Sequence, residues 1–281
     1  GTAKTTLYRI DTLSASPPCP AFTVFNVPGQ PTGQVRNNGT GFLLPNAASV
    51  PGVATFILAS ENGIISGNRG GTTMVIGFDN SASGAVYKGL AIAIQTPTGD
   101  RLYATDFHNG RVDVFTGSPC PPLPCYFTPV VVPGAFTDPD LPAGYAPFGI
   151  QNLNGVIYVT YALQDADKHD DVPGKGNGYV DAYGTTGTLL RRVDSKGKLN
   201  SPWGLALAPP NFGSFSGDLL VGNFGDGMIN AFDPGQMEGN GEYKNRGQFK
   251  SADGSPLAID GLWGLAFGTG SPASGTANTL F

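Results

Sequence analysis

Apolar positions in this chain fall in short runs separated by clusters of Gly, Pro, Asn and Asp, and no stretch keeps a helical period over several turns. Residues 202–234 show the unit most clearly. There WGLALA, DLLVGNF and MINAF follow one another, the first two parted by a Pro/Gly-rich loop and the last two by Gly225-Asp226-Gly227. Runs this short, bounded by turn residues, predict the strands of an antiparallel meander.

The unit recurs. A glycine marks its first strand in PTGQV (Gly33), KGLAIAI (Gly89), FGIQNL (Gly149), WGLALA (Gly204) and WGLAFG (Gly264), at intervals of 55 to 60 residues. A tight turn marks its middle, at Gly63, Gly110, Gly178 and Gly227, each flanked by an apolar run on either side. Asn-Gly and Asp-Gly supply the positive φ that such a hairpin needs. A repeat of about 40–60 residues with about four short strands is the pattern of propeller blades. Trp203 and Trp263, in matching positions, are predicted to fill the contact between neighbouring blades. TTLYRID (5–11) and FTVFNV (22–27) read as third and fourth strands, and ANTLF (277–281) as a second. The chain is thus expected to be all-β, a single β-propeller domain over residues 1–281 with four-stranded blades. Five blades close if the N- and C-terminal strands share one, which removes an exposed sheet edge.

Several phrases carry a resemblance: YKGLAIA, LYATDFHNGRVDVF, GAFTDPDLPAGYAPFGIQNLNGVIYVTYA, HDDVPGKGNGYVDAYG, LNSPWGLALAP, LLVGNFGDGMINAFDP and IDGLWGLAFG. In combination they resemble an uncharacterised family of secreted bacterial β-propellers, itself similar to the propellers with NHL-type repeats. The resemblance is dense over residues 87–281 and looser before. It implies six blades, with an opening Asn-Pro-Trp-Gly strand in front and a further strand or two behind. Neither is in this sequence, so the ends are expected to be incomplete unless five blades close. The resemblance implies a fold and no activity.

Composition narrows the partners. Hydrophobic residues at 40% suffice for a core, and charged residues are only 13%, against about 25% in an ordinary domain. Net charge is −5, and no basic run exceeds Arg191-Arg192, which argues against nucleic acid and anionic membranes. No run approaches the ~20 apolar residues of a membrane span. Low charge with abundant Thr, Ser, Asn and Gly predicts an extracellular, secreted setting. In that setting Cys120 and Cys125, flanking a Pro-rich loop, close a small disulfide ring; otherwise they are two free thiols. Cys19 is left over, and Asn38-Gly39-Thr40 is a glycosylation sequon. The chain opens in a strand-like pattern with no signal peptide, which predicts a processed or incomplete N-terminus.

Candidate chemistry sits on turns. In a propeller the turns between second and third strands share a face with the inter-blade connections, and that face surrounds the channel mouth. It presents Glu61, Asp106, His108, Asn223 and Asp226 as ligand-face candidates. The third turn carries the longest insertion, QDADKHDDVPGKGNG, with Asp165, Asp167, Asp170 and Asp171 around His169. Two readings stand for it: a hard-cation site, best suited to Ca²⁺, and a solvated acidic loop whose side chains cap local turns. The aspartate spacing is not that of an EF-hand, and two histidines, His108 and His169, are few for a catalytic zinc. A His108/Asp106 pair has the chemistry of a general base. Glu61, Asn223 and Asp226 have that of a gluconolactonase-like divalent-metal site. For residues 145–148 a glycan or peptide groove competes with core packing, the latter preferred for Phe148. The leading expectation is an extracellular binding or structural module whose ligand is a glycan, a peptide or another copy of itself. The alternative is a divalent-metal-dependent hydrolase or lactonase at the central channel.

Overall fold

The computed structural model describes residues 4–9, 19–45, 49–96, 99–118, 126–270 and 274–281, with side chains from residue 24 onward. The CPPLPC segment, Cys120 and Cys125 included, lies outside them, as does the side chain of Cys19, so the disulfide expectation falls outside the described residues. Two N-terminal strands, β1 (Lys4–Arg9) and β2 (Cys19–Asn26), pair antiparallel with each other. Four four-stranded antiparallel sheets follow in chain order. The first holds β3 (Pro31–Arg36), β6 (Phe56–Ser60), β7 (Ile64–Asn68) and β8 (Val75–Asp79); a small hairpin of β4 (Leu43–Pro45) and β5 (Pro51–Val53) interrupts it. The second holds β9 (Tyr87–Ala93), β10 (Arg101–Asp106), β11 (Arg111–Thr116) and β12 (Thr128–Val130). The third holds β13 (Tyr145–Leu153), β14 (Val156–Leu163), β15 (Tyr179–Tyr183) and β16 (Leu189–Ser195). The fourth holds β17 (Pro202–Leu207), β18 (Leu219–Asn223), β19 (Ile229–Met237) and β20 (Tyr243–Gln248). A fifth unit begins at 258–268, where Ala266 and Phe281 exchange both backbone hydrogen bonds and Phe267 bridges Leu280.

These sheets are blades. The second strand of each blade is buried on both faces, so runs such as LLVGN show no alternation. The apolar core is accordingly a series of layers between blades. Ile57, Ala59 and Ile65 meet Tyr87, Leu90 and Phe115 in the first layer. Tyr103 and Val114 meet Ile150 and Val159 in the second, and Tyr158 and Val180 meet Leu205 and Val221 in the third. Leu220 and Ile229 meet Leu262 and Leu265 in the fourth.

The repeat glycines let the inner strands approach. A Cβ on Gly33 would stand 2.5 Å from the Leu90 nitrogen, one on Gly89 2.9 Å from the Ile150 nitrogen, and one on Gly149 2.3 Å from the Trp203 oxygen. On Gly204 it would meet the Trp263 oxygen at 2.9 Å. Real Cβ contacts are not that short, so each position needs glycine for close backbone approach. Pairing shifts register at this point in all four inner strands, a bulge. Thr105 and Thr160 satisfy the freed N–H groups, their Oγ1 accepting from Gly89 at 2.6 Å and Gly149 at 2.8 Å.

Among the described residues the N-terminal strands pair with no strand of residues 258–281. They lie instead against the first blade: Phe25 and Val27 pack on Leu58 and Met74, and Asn26 exchanges backbone hydrogen bonds with Thr72 and Met74. The strands that read as third and fourth members of a closing blade thus form their own two-stranded sheet.

Candidate polar site at the channel mouth

The inner strands line a channel of about 440 Å³, bounded by Gly33, Gly89, Ile150, Gly204 and Gly264. Strands one and two of a blade are antiparallel, so the turn closing strands two and three lies beside the start of strand one. The residue preceding each repeat glycine sits there, and these are Thr32, Lys88, Phe148, Trp203 and Trp263.

Aromatics occupy three of the five positions and form a row. Phe148 packs edge-on against Trp203 at 4.8 Å, and Trp203 tilts over Trp263 at 4.3 Å, filling the blade contact as the repeat predicts. A phenylalanine from the turn of a preceding blade seals the row at two places: Phe107 lies 5.2 Å from Phe148, and Phe224 lies 5.2 Å from Trp263. Phe148 is buried, which is the packing role.

Between the first and second blades the aromatic pair is replaced by charge. Lys88 takes the inner-strand position with its side chain only 3% exposed, and Glu61 takes the turn position. Lys88 Nζ lies 2.5 Å from Glu61 Oε1 and 3.1 Å from Asp170 Oδ1, and 6.0 Å from the centre of the Phe107 ring. His169 Nδ1 stands 3.2 Å from the other Asp170 oxygen. A buried ammonium requires paired anions, and here they come from two different blades. Burial opposes ionisation of Asp170, but hydrogen bonds from Lys88 and His169 outweigh it and hold the carboxyl below its ordinary range. Asp170 remains 64% exposed, so this centre opens to solvent on one side.

The other candidates lie apart from this centre. Asp165 accepts the His169 N–H through Oδ1 at 2.8 Å, while the backbone of Asp171 bridges that of Gln164 and its Oδ2 is buried with no hydrogen-bond partner among the described residues. Asp167 points to solvent. The four aspartates do not share a centre, because the loop folds on its own backbone and sends Asp170 alone toward Lys88. Asp106 is fully buried and accepts from Val86 N–H, Asn109 N–H and Asn109 Nδ2, not from His108. Burial pushes its carboxyl up against the pull of Asn109. Asn223 is buried too; its Nδ2 donates to Lys198 O and Asp226 Oδ1, and Asp226 also accepts from Met228 N–H and Asn200. Asn223 and Asp226 therefore brace the fourth turn. Glu61 and Asp170 converge, and His169 joins them: one ligand atom from each lies within 4.8 Å of the others.

Lys88 is the residue that the sequence reading passed over. The signal was present: of the five residues before the repeat glycines it alone is charged, and Glu61 aligns with Phe107 and Phe224 in the turns.

Fold and site together define a β-propeller of four-stranded blades with a polar centre on its turn-bearing face. No family model matches the chain. It is 35% identical over 242 residues to "Uncharacterized protein R648" of Acanthamoeba polyphaga mimivirus, covering 84% of this chain and 56% of that protein. To "Uncharacterized protein L690" of the same virus it is 33% identical over 251 residues, covering 85% and 61%. The chain thus spans between half and two thirds of the length of these curated relatives. They are viral proteins, whereas the resemblance seen in the sequence was to bacterial, secreted ones. Among solved structures, the PQQ-bound aldose sugar dehydrogenase of Streptomyces coelicolor is similar at a TM-score of 0.47 and 14% identity, covering 88% of this chain and 74% of that one. BBS1N in its complex with ARL6DN is similar at 0.46 and 14%, covering 93% and 65%.

Proposed function

We propose that the chain is an extracellular binding module that takes its ligand on the turn-bearing face, at the channel mouth between the Lys88 centre and the aromatic row. The observation that carries this reading is the replacement of an inter-blade aromatic pair by Lys88 and Glu61, with Asp170 reaching in from the longest turn insertion. Burying an ion pair where apolar contact serves neighbouring blades gains little stability, which favours a role in recognition. The reading takes a glycan segment as ligand. Hydroxyl groups suit the exposed Asp170 carboxylate and the His169 imidazole, and Trp263, 37% exposed, offers a flat apolar edge.

A divalent-metal hydrolase or lactonase, with Ca²⁺ as its ion, has one observation in its favour: the convergence of Glu61, His169 and Asp170. Against it, the Lys88 ammonium already sits on both carboxylates, so a cation entering there must displace a buried charge.

The two tryptophans of the chain both lie in the aromatic row, so intrinsic fluorescence reports on this mouth directly. A panel of soluble oligosaccharides should contain one that shifts the emission saturably, and Asp170→Ala should abolish the shift. Calcium titrated after chelation should give no heat that Glu61→Gln removes. A silent panel together with calcium heat lost in Glu61→Gln would replace the binding reading with the metal one.

A further inference from the structure

We infer that residues 165–170, the tip of the longest turn insertion, form a flap at the channel mouth that Asp170 latches onto Lys88. The turns joining second and third strands are residues 61–63, 107–110 and 224–228 in three blades, but 164–178 in the third blade. The two halves of that insertion are held differently. The later half is anchored to the segment before the fourth blade: Gly176 N–H donates to Leu199 O at 2.8 Å, Ser201 N–H to Asn177 O at 2.9 Å, and Gly174 N–H to Asn200 Oδ1 at 2.6 Å. The earlier half closes on itself. Asp165 N–H donates to Asp170 O, Lys168 N–H to Asp165 O, and His169 N–H to Asp165 Oδ1. A bridge between Gln164 and Asp171 forms its neck, and Gln164 is fixed in turn, its Nε2 donating to Phe107 O at 2.5 Å. Ala166, Asp167, Lys168 and Asp170 are exposed, and no residue of 165–170 joins an apolar cluster. Among the described residues one hydrogen bond ties this tip to another blade, from Lys88 Nζ to Asp170 Oδ1 at 3.1 Å. A compact unit on a narrow neck with a single tether is the build of a hinged lid.

The latch is weak by its placement. The Asp170 side chain is exposed, and an ion pair open to water shifts a closed-to-open ratio by at most about fivefold. Release orphans no charge, because the buried Lys88 ammonium keeps Glu61 Oε1 at 2.5 Å. The closed neck also carries a cost. Asp171 Oδ2 is buried there with no hydrogen-bond partner among the described residues, and opening lets water reach it. Closed and open states therefore lie close in free energy, and a ligand that meets Asp170 and His169 selects between them. That gating role rests on the ligand reading above; the hinged flap itself does not.

The insertion carries its own probe, since Lys168 in the tip and Lys175 in the anchored half are both exposed trypsin sites. Trypsin cuts a native chain where a segment opens, and the ratio of the two cleavage rates cancels any effect of salt on the protease. Asp170→Ala leaves Glu61 on Lys88, so the variant folds. In it the Lys168-to-Lys175 ratio should rise about two- to fivefold. Salt screens an exposed pair, so it should raise the wild-type ratio toward that of the variant and leave the variant's where it is. A ratio that neither salt nor Asp170→Ala moves overturns the flap. The two readings fail separately: a ratio that responds beside a silent oligosaccharide panel upholds the flap without the glycan, and a saturable emission shift beside an unresponsive ratio upholds the glycan and overturns the flap.

Discussion

Replacing Gly149 by alanine tests the radial packing of the inner strands, on which every site assignment rests. The added Cβ would lie 2.3 Å from the Trp203 carbonyl oxygen and 2.9 Å from Thr160 Oγ1. That is about 1 Å inside an ordinary van der Waals separation, and the nearer obstacle is backbone. The fourth blade's inner strand must move outward, loosening the Phe148–Trp203 contact and the Gly149–Thr160 hydrogen bond together. Overpacking of this kind costs roughly 1–3 kcal/mol. The gain from restricting the unfolded chain, about 0.4–1 kcal/mol, is smaller. Net of that gain, and at about 2–4 °C per kcal/mol for a domain near this size, melting followed by calorimetry should drop by up to roughly 10 °C. Gly264→Ala is the internal control, since nothing stands within 4 Å of its Cβ; its melting should hold or rise slightly. Equal melting temperatures for the two variants would refute the reasoning, because the two glycines would then not differ in what they face.

Two further outcomes follow from buried charge. Glu61→Gln leaves the buried Lys88 ammonium with Asp170 as its remaining anionic partner and should cost about 2–4 kcal/mol in urea unfolding. The double change Glu61→Phe with Lys88→Phe, which copies the Phe107–Phe148 pair, should recover that loss; a double variant no more stable than the single one would show that the site's shape, not its charge, is limiting. Burial, then the charge of Glu242, pushes the Asp194 carboxyl up to about 7. Its folded pKa exceeds the unfolded value of about 3.9, so the folded state holds the extra proton between them. Stability from this group is complete below about pH 4 and is lost as pH rises through about 7. The melting temperature should therefore be higher at pH 5 than at pH 8; burial also raises Asp181 to about 7 and adds to the difference, so Asp194→Asn should narrow it.

Local pattern carried most of the fold. Turn glycines with a free φ, and apolar runs too short for helices, determined the strands before any contact was known, because those preferences act within a few residues. The spacing of Gly33, Gly89, Gly149, Gly204 and Gly264 announced equivalent inner strands, and the coordinates place four of them backbone to backbone with the next. The site was half legible. Glu61 and Asp170 stood out as acids on long or tight turns, yet Asp106, Asn223 and Asp226 looked the same in sequence and proved to hold their own turns. A carboxylate reads identically whether it accepts from a neighbouring N–H or faces a distant ammonium; only tertiary structure sets that distance. Lys88 and Asp170 are 82 positions apart, and no local preference couples residues so separated. Tertiary structure also decided that Trp203 is covered while Trp263 is open, although their tetrapeptides are identical. The chain writes each blade's strands in its own residues, but burial belongs to the interface between blades, and an interface exists only once its second member has packed.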